Sequence, residues 1–117
     1  MIAHVIVRTS KLNESLEFYQ YLLGLPVSAR IQTPTGEIVF LGGNETKLEF
    51  IEDAKAEKIE SKGLTIGFAV DGLEEKIALL DSRSIPHSEI VMPNPSTRFI
   101  MFRDLNGCEI QLIEQKK

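Results

Sequence analysis

Apolar and polar positions alternate from the start of the chain. Residues 2–7 are rich in β-branched types, with His4, Ile6 and Arg8 on one side and Ala3, Val5 and Val7 on the other, which predicts a strand. Ser10 is placed to cap a helix in which Leu12, Leu16, Tyr19 and Leu23 recur at helical spacing, and Gly24 followed by Pro26 stops it. Residues 27–31, 37–41 and 47–51 read as three short strands, separated by Thr33-Pro34-Thr35-Gly36 and Gly42-Gly43-Asn44. The first half is therefore βαβββ.

A charged stretch over residues 52–62 reads as a solvated linker with some helical character. The same order of signals then begins again. Residues 64–70 are strand-like. Asp71, helped by Glu74, caps a second helix that buries Leu73, Ile77 and Leu80 and ends before Pro86. Residues 88–92, 98–103 and 108–113 follow as strands, punctuated by Pro93-Asn94-Pro95 and Asp104-Leu105-Asn106-Gly107. An offset of 61 residues lays His4 on Thr65, Val7 on Phe68, Leu12 on Leu73 and Leu16 on Ile77, a match of pattern and not of identity. The expected fold class is α+β: two tandem βαβββ modules, about residues 1–53 and 63–117 with a linker at 54–62. Together they are expected to form one curved mixed sheet around a cleft, with the helices outside.

Composition narrows what such a cleft can do. The chain has 117 residues, enough for one ordinary domain, and its 17 acids against 13 bases give a net charge of −4. No run of Lys and Arg marks a nucleic-acid or lipid footprint. The apolar stretches fall well short of the roughly 20 residues that span a bilayer, and the start lacks a signal-peptide profile. The expectation is a cytoplasmic protein without nucleic-acid or membrane partners. Cys108 is the only cysteine, so any metal must be held by His, Glu, Asp or Gln.

Candidate chemistry sits on the strand faces. A lone histidine on a strand, such as His4, is more often packed or hydrogen-bonded than a metal ligand. Glu49 shares a side of its strand with Lys47 and Ile51, where an acid faces solvent or a polar cavity. In the second module Thr65 stands at the repeat-equivalent of His4, and Gln111 at that of Glu49 once the offset grows to 62; both are also ordinary strand residues. Imidazole, carboxylate, amide and hydroxyl together suit a borderline-to-hard divalent ion that keeps several waters. Arg8, on the His4 face, can clamp an anionic group, and Arg98 beside Ile100 and Phe102 can line a pocket for an organic anion or can simply be a solvated cation over packed neighbours. His87 is expected to be exposed at a turn and Cys108 to be a small buried strand residue; neither is assigned chemistry. No phosphate-cradling Gly-rich loop, nucleophile elbow or His-Glu-x-x-His helix is present.

His4-Val5-Ile6-Val7-Arg8, Leu12 to Tyr19 and Leu22-Leu23-Gly24-Leu25, followed by Leu64 to Asp71 and Phe102 to Leu112, resemble the repeated signature of the glyoxalase/bleomycin-resistance/extradiol-dioxygenase superfamily, the vicinal oxygen chelate proteins. The resemblance spans nearly the whole chain. It implies that the family's four metal-ligand positions fall on His4, Glu49, Thr65 and Gln111, of which the first two match the usual types. A bacterial glyoxalase I would carry His in place of Thr65 and Glu in place of Gln111. Arg8 matches an arginine that helps hold glutathione in glyoxalase I, but other cationic anchors are not evident.

The resemblance thus implies a metal-dependent lyase or isomerase using Ni, Co, Mn, Fe or Zn. The metal would sit on His4, Glu49, Gln111 and Thr65, Glu49 would act as base, and Arg8 and Arg98 would hold a small oxygenated or thiol-conjugated substrate. Classical lactoylglutathione lyase activity is not expected. The alternative is a metal-free, bleomycin-resistance-like protein that binds a small molecule. A homodimer is expected in either case.

Overall fold

The computed structural model describes residues 1–116. The chain forms two compact units, Met1–Lys58 and the remainder from Ile59.

The first unit contains β1 (His4–Thr9), α1 (Leu12–Leu23), β2 (Val27–Thr33), β3 (Gly36–Leu41) and β4 (Lys47–Glu52). Its sheet order is β1-β4-β3-β2, with β1 parallel to β4 and the other pairs antiparallel. Period-two alternation decides which side is covered: Val7, Val39, Leu41, Leu48 and Phe50 are buried on one face. The apolar stripe of α1 (Leu12, Leu16, Phe18, Tyr19, Leu22) is buried with them, and the Tyr19 and Phe50 rings meet at 5.7 Å. Leu22, fully buried, takes the place expected of Leu23, which is half-buried. The helix stops at Gly24, whose φ of 64° directs its N–H back to the Gln20 carbonyl. A side chain there would be strained, because L-residues clash in the left-handed region.

The second unit repeats this plan with β5 (Ile66–Ala69), α2 (Leu73–Ser82), β6 (Val91–Asn94), β7 (Thr97–Arg103) and β8 (Glu109–Gln115), in sheet order β5-β8-β7-β6. Leu73, Leu80, Ile100, Phe102, Ile110 and Leu112 form its core. The α+β class and the two tandem βαβββ modules are as expected from the hydrophobic pattern.

Several local expectations give way to groups supplied from elsewhere. Ser10 does not cap α1; the Thr9 hydroxyl instead accepts the Lys11 N–H, and the Ser15 hydroxyl donates to the Lys11 carbonyl. Asp71 does not cap α2; the Leu73 N–H donates to the Glu114 carboxylate of β8, 3.0 Å away. The stretch from Asp53 to Lys62 contains turns and bends but no helix. Pro93 and Asn94 lie inside β6, where proline is tolerated because β6 ends the sheet and needs no donor on its outer side. Among the described residues no helix is long and apolar enough to cross a membrane.

Candidate functional site

Each sheet has one face packed by its helix and one face free of it, and the polar candidates divide between them. In the first unit Ile6 pairs with Glu49 in the β1–β4 ladder, Phe40 pairs with Glu49 in the β3–β4 ladder, and His4 and Arg8 pair with Lys47 and Ile51. Paired residues point to the same side of a sheet. The face opposite α1 therefore carries His4, Ile6, Arg8, Lys47, Glu49, Ile51, Ile38 and Phe40.

His4 reaches diagonally past Lys47, bringing Nε2 to 3.2 Å from Glu49 Oε1. The imidazole is 40% exposed while the carboxylate is only 10% exposed. Phe40 packs edge-on against the imidazole with ring centres 5.8 Å apart. Lys47 turns away and donates to the Gly43 carbonyl at 2.7 Å, leaving the diagonal clear. Glu49 thus sits between Ile6 and Phe40 with imidazole as its polar neighbour. Arg8 is exposed on the same face, and no ion pair holds its guanidinium among the described residues.

In the second unit the ladder matches in register, with Gly67 opposite Gln111 as Ile6 is opposite Glu49. The side chains behave differently. The Thr65 hydroxyl donates to Glu109 Oε1 in a short hydrogen bond, and Glu109 also lies 3.9 Å from the Arg103 guanidinium. A Cβ on Gly67 would stand 2.9 Å from Gln111 Oε1, so the amide lies over the space the glycine leaves empty. Glu109 was not singled out from the sequence, although the offset of 62 that relates Glu49 to Gln111 also relates Lys47 to Glu109. The rim residues Phe40 and Gly67 carried no chemical signal of their own.

Arg98 is on the opposite side of its sheet. It shares the helix-packed face with Ile100 and Phe102, and its guanidinium meets Glu114 at 2.7 Å and Glu74 at 2.5 Å. This pairing raises the guanidinium's pKa further, holds the Glu74 carboxyl down to about 2 and also lowers that of Glu114, whose largest stabilising contact is the Leu73 N–H. The pocket role expected of Arg98 is thereby replaced by a clamp between α2 and β8. His87, expected to be exposed, is half-buried, with both ring nitrogens engaged. Cys108 is buried, and burial pushes its thiol up to about 11.

Among the described residues no group of three or more His, Cys, Asp and Glu gathers as a ready metal cage. The His4–Glu49 pair nevertheless fits one edge of a coordination shell: two donors each about 2.1 Å from one ion and opening at roughly a right angle stand about 3 Å apart. An imidazole and a carboxylate suit a borderline divalent ion.

Residues 1–112 match the model of the glyoxalase/bleomycin resistance protein/dioxygenase superfamily. The chain belongs to this superfamily. Solved structures agree in fold. A glyoxalase family protein from Enterococcus faecalis superposes with a TM-score of 0.76 at 24% identity, covering 97% of each chain. TnmS3, an antibiotic binding protein from Streptomyces sp. CB03234, gives 0.77 at 19% identity over 99% of this chain and 96% of that one. The trypanothione-dependent glyoxalase I of Leishmania major gives 0.78 at 23% identity over 97% of this chain and 86% of that one. No curated protein matches the chain. At these identities the likeness speaks for the fold, and the superfamily member's own residues must speak for its chemistry.

Proposed function

We propose that this superfamily member is a metal-dependent lyase or isomerase of the glyoxalase type, in which His4 and Glu49 hold a divalent cation (Ni, Co, Mn, Fe or Zn). The observation that carries the reading is the 3.2 Å approach of imidazole and carboxylate on the sheet face free of its helix. Superfamily members commonly use divalent metals, which supports it further. The cation, when bound, would polarise an oxygen of the substrate. Glu49, walled by Ile6 and Phe40, is the base that takes a proton α to a carbonyl and returns it to the neighbouring carbon. Arg8 clamps an anionic group on the substrate, while Thr65 and Gln111 stay ligand candidates on the second unit's own sheet face. Arg98, already paired twice, takes no part. The substrate class is a small oxygenated or thiol-conjugated molecule, and lactoylglutathione itself is not favoured because Lys47, the other cation on the face of Arg8, turns away to the Gly43 carbonyl.

We propose a cytoplasmic homodimer; the dimer is supported by the end strands of each sheet, which lack a neighbour within their own unit. The experiment is calorimetric titration of the intact, metal-stripped protein with Ni²⁺ and Mn²⁺. Saturable binding at one equivalent that is lost in both His4→Ala and Glu49→Gln is the expected result. Failure of the folded wild-type protein to take up either ion overturns the reading.

That failure would leave a second reading, metal-free binding of a small organic molecule. It is favoured by the direct approach of His4 to the Glu49 carboxylate and by the apolar neighbour Ile6, paired with Glu49 and 47% exposed.

A further inference from the structure

His87 follows α2 in a segment that touches β7 through one isolated bridge to Phe102. Its two ring nitrogens both face oxygen acceptors. Nε2 is 2.7 Å from Asp81 Oδ1, at the end of α2, and Nδ1 is 2.8 Å from the carbonyl of Ser88. Neither acceptor can donate: one is a carboxylate and the other a peptide carbonyl. A neutral imidazole has one N–H, so in either tautomer its bare nitrogen would point a lone pair at an oxygen at hydrogen-bond distance. Only the imidazolium satisfies both contacts.

The surroundings favour that form. Asp81 supplies the opposite charge, and the carbonyl end of α2 adds to it. Phe102 from β7 brings no titratable group, and Asp81 is the titratable side chain whose charge acts on the ring. Next door, Ser88 is tied to Met101 twice: its N–H donates to the Met101 carbonyl at 2.8 Å and its hydroxyl accepts the Met101 N–H at 2.9 Å. Met101 is the register partner of Gln111 on the ligand-candidate face. The turn between helix and clasp holds Ser84 at a φ of 55°, a conformation that a non-glycine residue keeps only when its neighbours hold it there.

We propose that His87 is a proton-operated clasp: as imidazolium it ties the end of α2 to the segment that docks on β7 beside Gln111, and on deprotonation one of the two ties is lost and that segment loosens. The contact with Ser88 and the pairing with Asp81 both raise the His87 pKa above its ordinary 6.5. A raised pKa means the clasp's contribution is whole below about 6.5 and disappears as pH climbs through the folded-state value. Each unit of elevation corresponds to tenfold in the folding equilibrium.

The test is an NMR titration of both histidines in the intact protein, assigned with His4→Gln, together with amide exchange at Ser88 and Met101. His87 is expected to titrate above the ordinary histidine value, to move down toward it in Asp81→Asn, and to lose protection of the Ser88 and Met101 amides on deprotonation. In pH-dependent melts the advantage of wild type over His87→Gln should be whole below about pH 6.5 and shrink as pH rises through the folded-state value. The proposal is overturned if His87 titrates at or below its ordinary value in the wild-type protein, if Asp81→Asn leaves it unmoved, or if protection at Ser88 and Met101 is the same in both protonation states. Because the first and third readings need only the wild-type chain, a variant that fails to fold does not spare the proposal.

Discussion

The first sheet offers the same substitution on its two faces, and the outcomes should differ by a large factor. Phe50, on β4, is fully buried against α1, with Tyr19 at 5.7 Å. Phe40, on β3, is half-buried on the other face beside His4. Truncating Phe50 to Ala removes a ring that buries on the order of 150 Å² or more, worth about 4 kcal/mol at about 25 cal/mol per Å². Measured Phe→Ala changes in cores lie at about 3–5 kcal/mol, cavity included. For a chain of this length that lowers the melting temperature by roughly 12–20 °C, a large part of a total stability of about 5–15 kcal/mol. Phe40→Ala loses only the covered part of its ring and leaves no closed cavity, so about 1–2 kcal/mol is expected. Its larger effect should fall on His4, which loses its edge-on partner and its defined approach to Glu49. Urea melts of both variants give the two free energies, and calorimetric titration with Ni²⁺ gives the effect on the pair. Equal destabilisation by the two substitutions would refute the assignment of faces, and with it the reasoning that puts His4 and Glu49 away from the helix.

Three further outcomes follow from the second unit. Gly67→Ala places a methyl group where Gln111 Oε1 lies 2.9 Å from the glycine's missing Cβ; the amide should swing aside with little loss of stability, seen as shifted Gln111 side-chain NMR signals beside an almost unchanged melt. Arg98 holds Glu74 down to about 2, and Glu114 is kept below its ordinary range first by the Leu73 N–H and then by Arg98. Lowered carboxyl pKa values give stability that is present above about 4.5 and lost as pH falls toward about 2, so Arg98→Met should flatten the acid limb of the melting profile, and an unchanged limb would sink the clamp. Cys108, buried and with its thiol pushed up to about 11, should resist a thiol-reactive dye in native protein and react at once in denaturant, since thiolate is the reactive form.

How much of this was legible in the sequence depended on distance along the chain. Strand and helix positions followed from apolar periodicity, because burial on one face is a requirement that each short segment states for itself. Gly24 and Pro26 marked the end of α1 by the same local logic. The helix caps were misread where the donor or acceptor came from outside the segment: α2 is capped by Glu114, 41 residues beyond Leu73, and no local pattern announces that partner. Arg98 was placed on the right face with its strand neighbours Ile100 and Phe102, but its partners Glu74 and Glu114 arrive through packing and are not announced locally. His87 looked exposed because Pro86 precedes it, while its bridge to Phe102 and its contact with Asp81 join residues that no local pattern links. Alternation set His4 with Ile6 and Arg8, and Glu49 with Lys47 and Ile51, each within its own strand; their common face and 3.2 Å approach required the parallel β1–β4 register.

The comparison of the two units explains where the repeat could diverge. Positions facing a helix are constrained by volume, so Val7, Leu48 and Phe50 in one unit have Phe68, Ile110 and Leu112 as their repeat-equivalents in the other, and each sheet keeps the same register. Positions on the other face answer to no such packing, and there the pairs separate: His4 and Glu49 against Thr65 and Gln111, Ile6 against Gly67, Lys47 against Glu109. Each change depends on its neighbour. Lys47 must turn to the Gly43 carbonyl for His4 to reach Glu49, whereas Glu109 instead draws the Thr65 hydroxyl straight across the ladder. Gly67 leaves the space over which the Gln111 amide lies, while the same place in the first unit holds an isoleucine that walls the carboxylate. One backbone register thus yields an imidazole–carboxylate pair in the first unit and a hydroxyl–carboxylate pair with a folded amide in the second. The chemical asymmetry lies in single side chains at equivalent positions and needs no change in the fold.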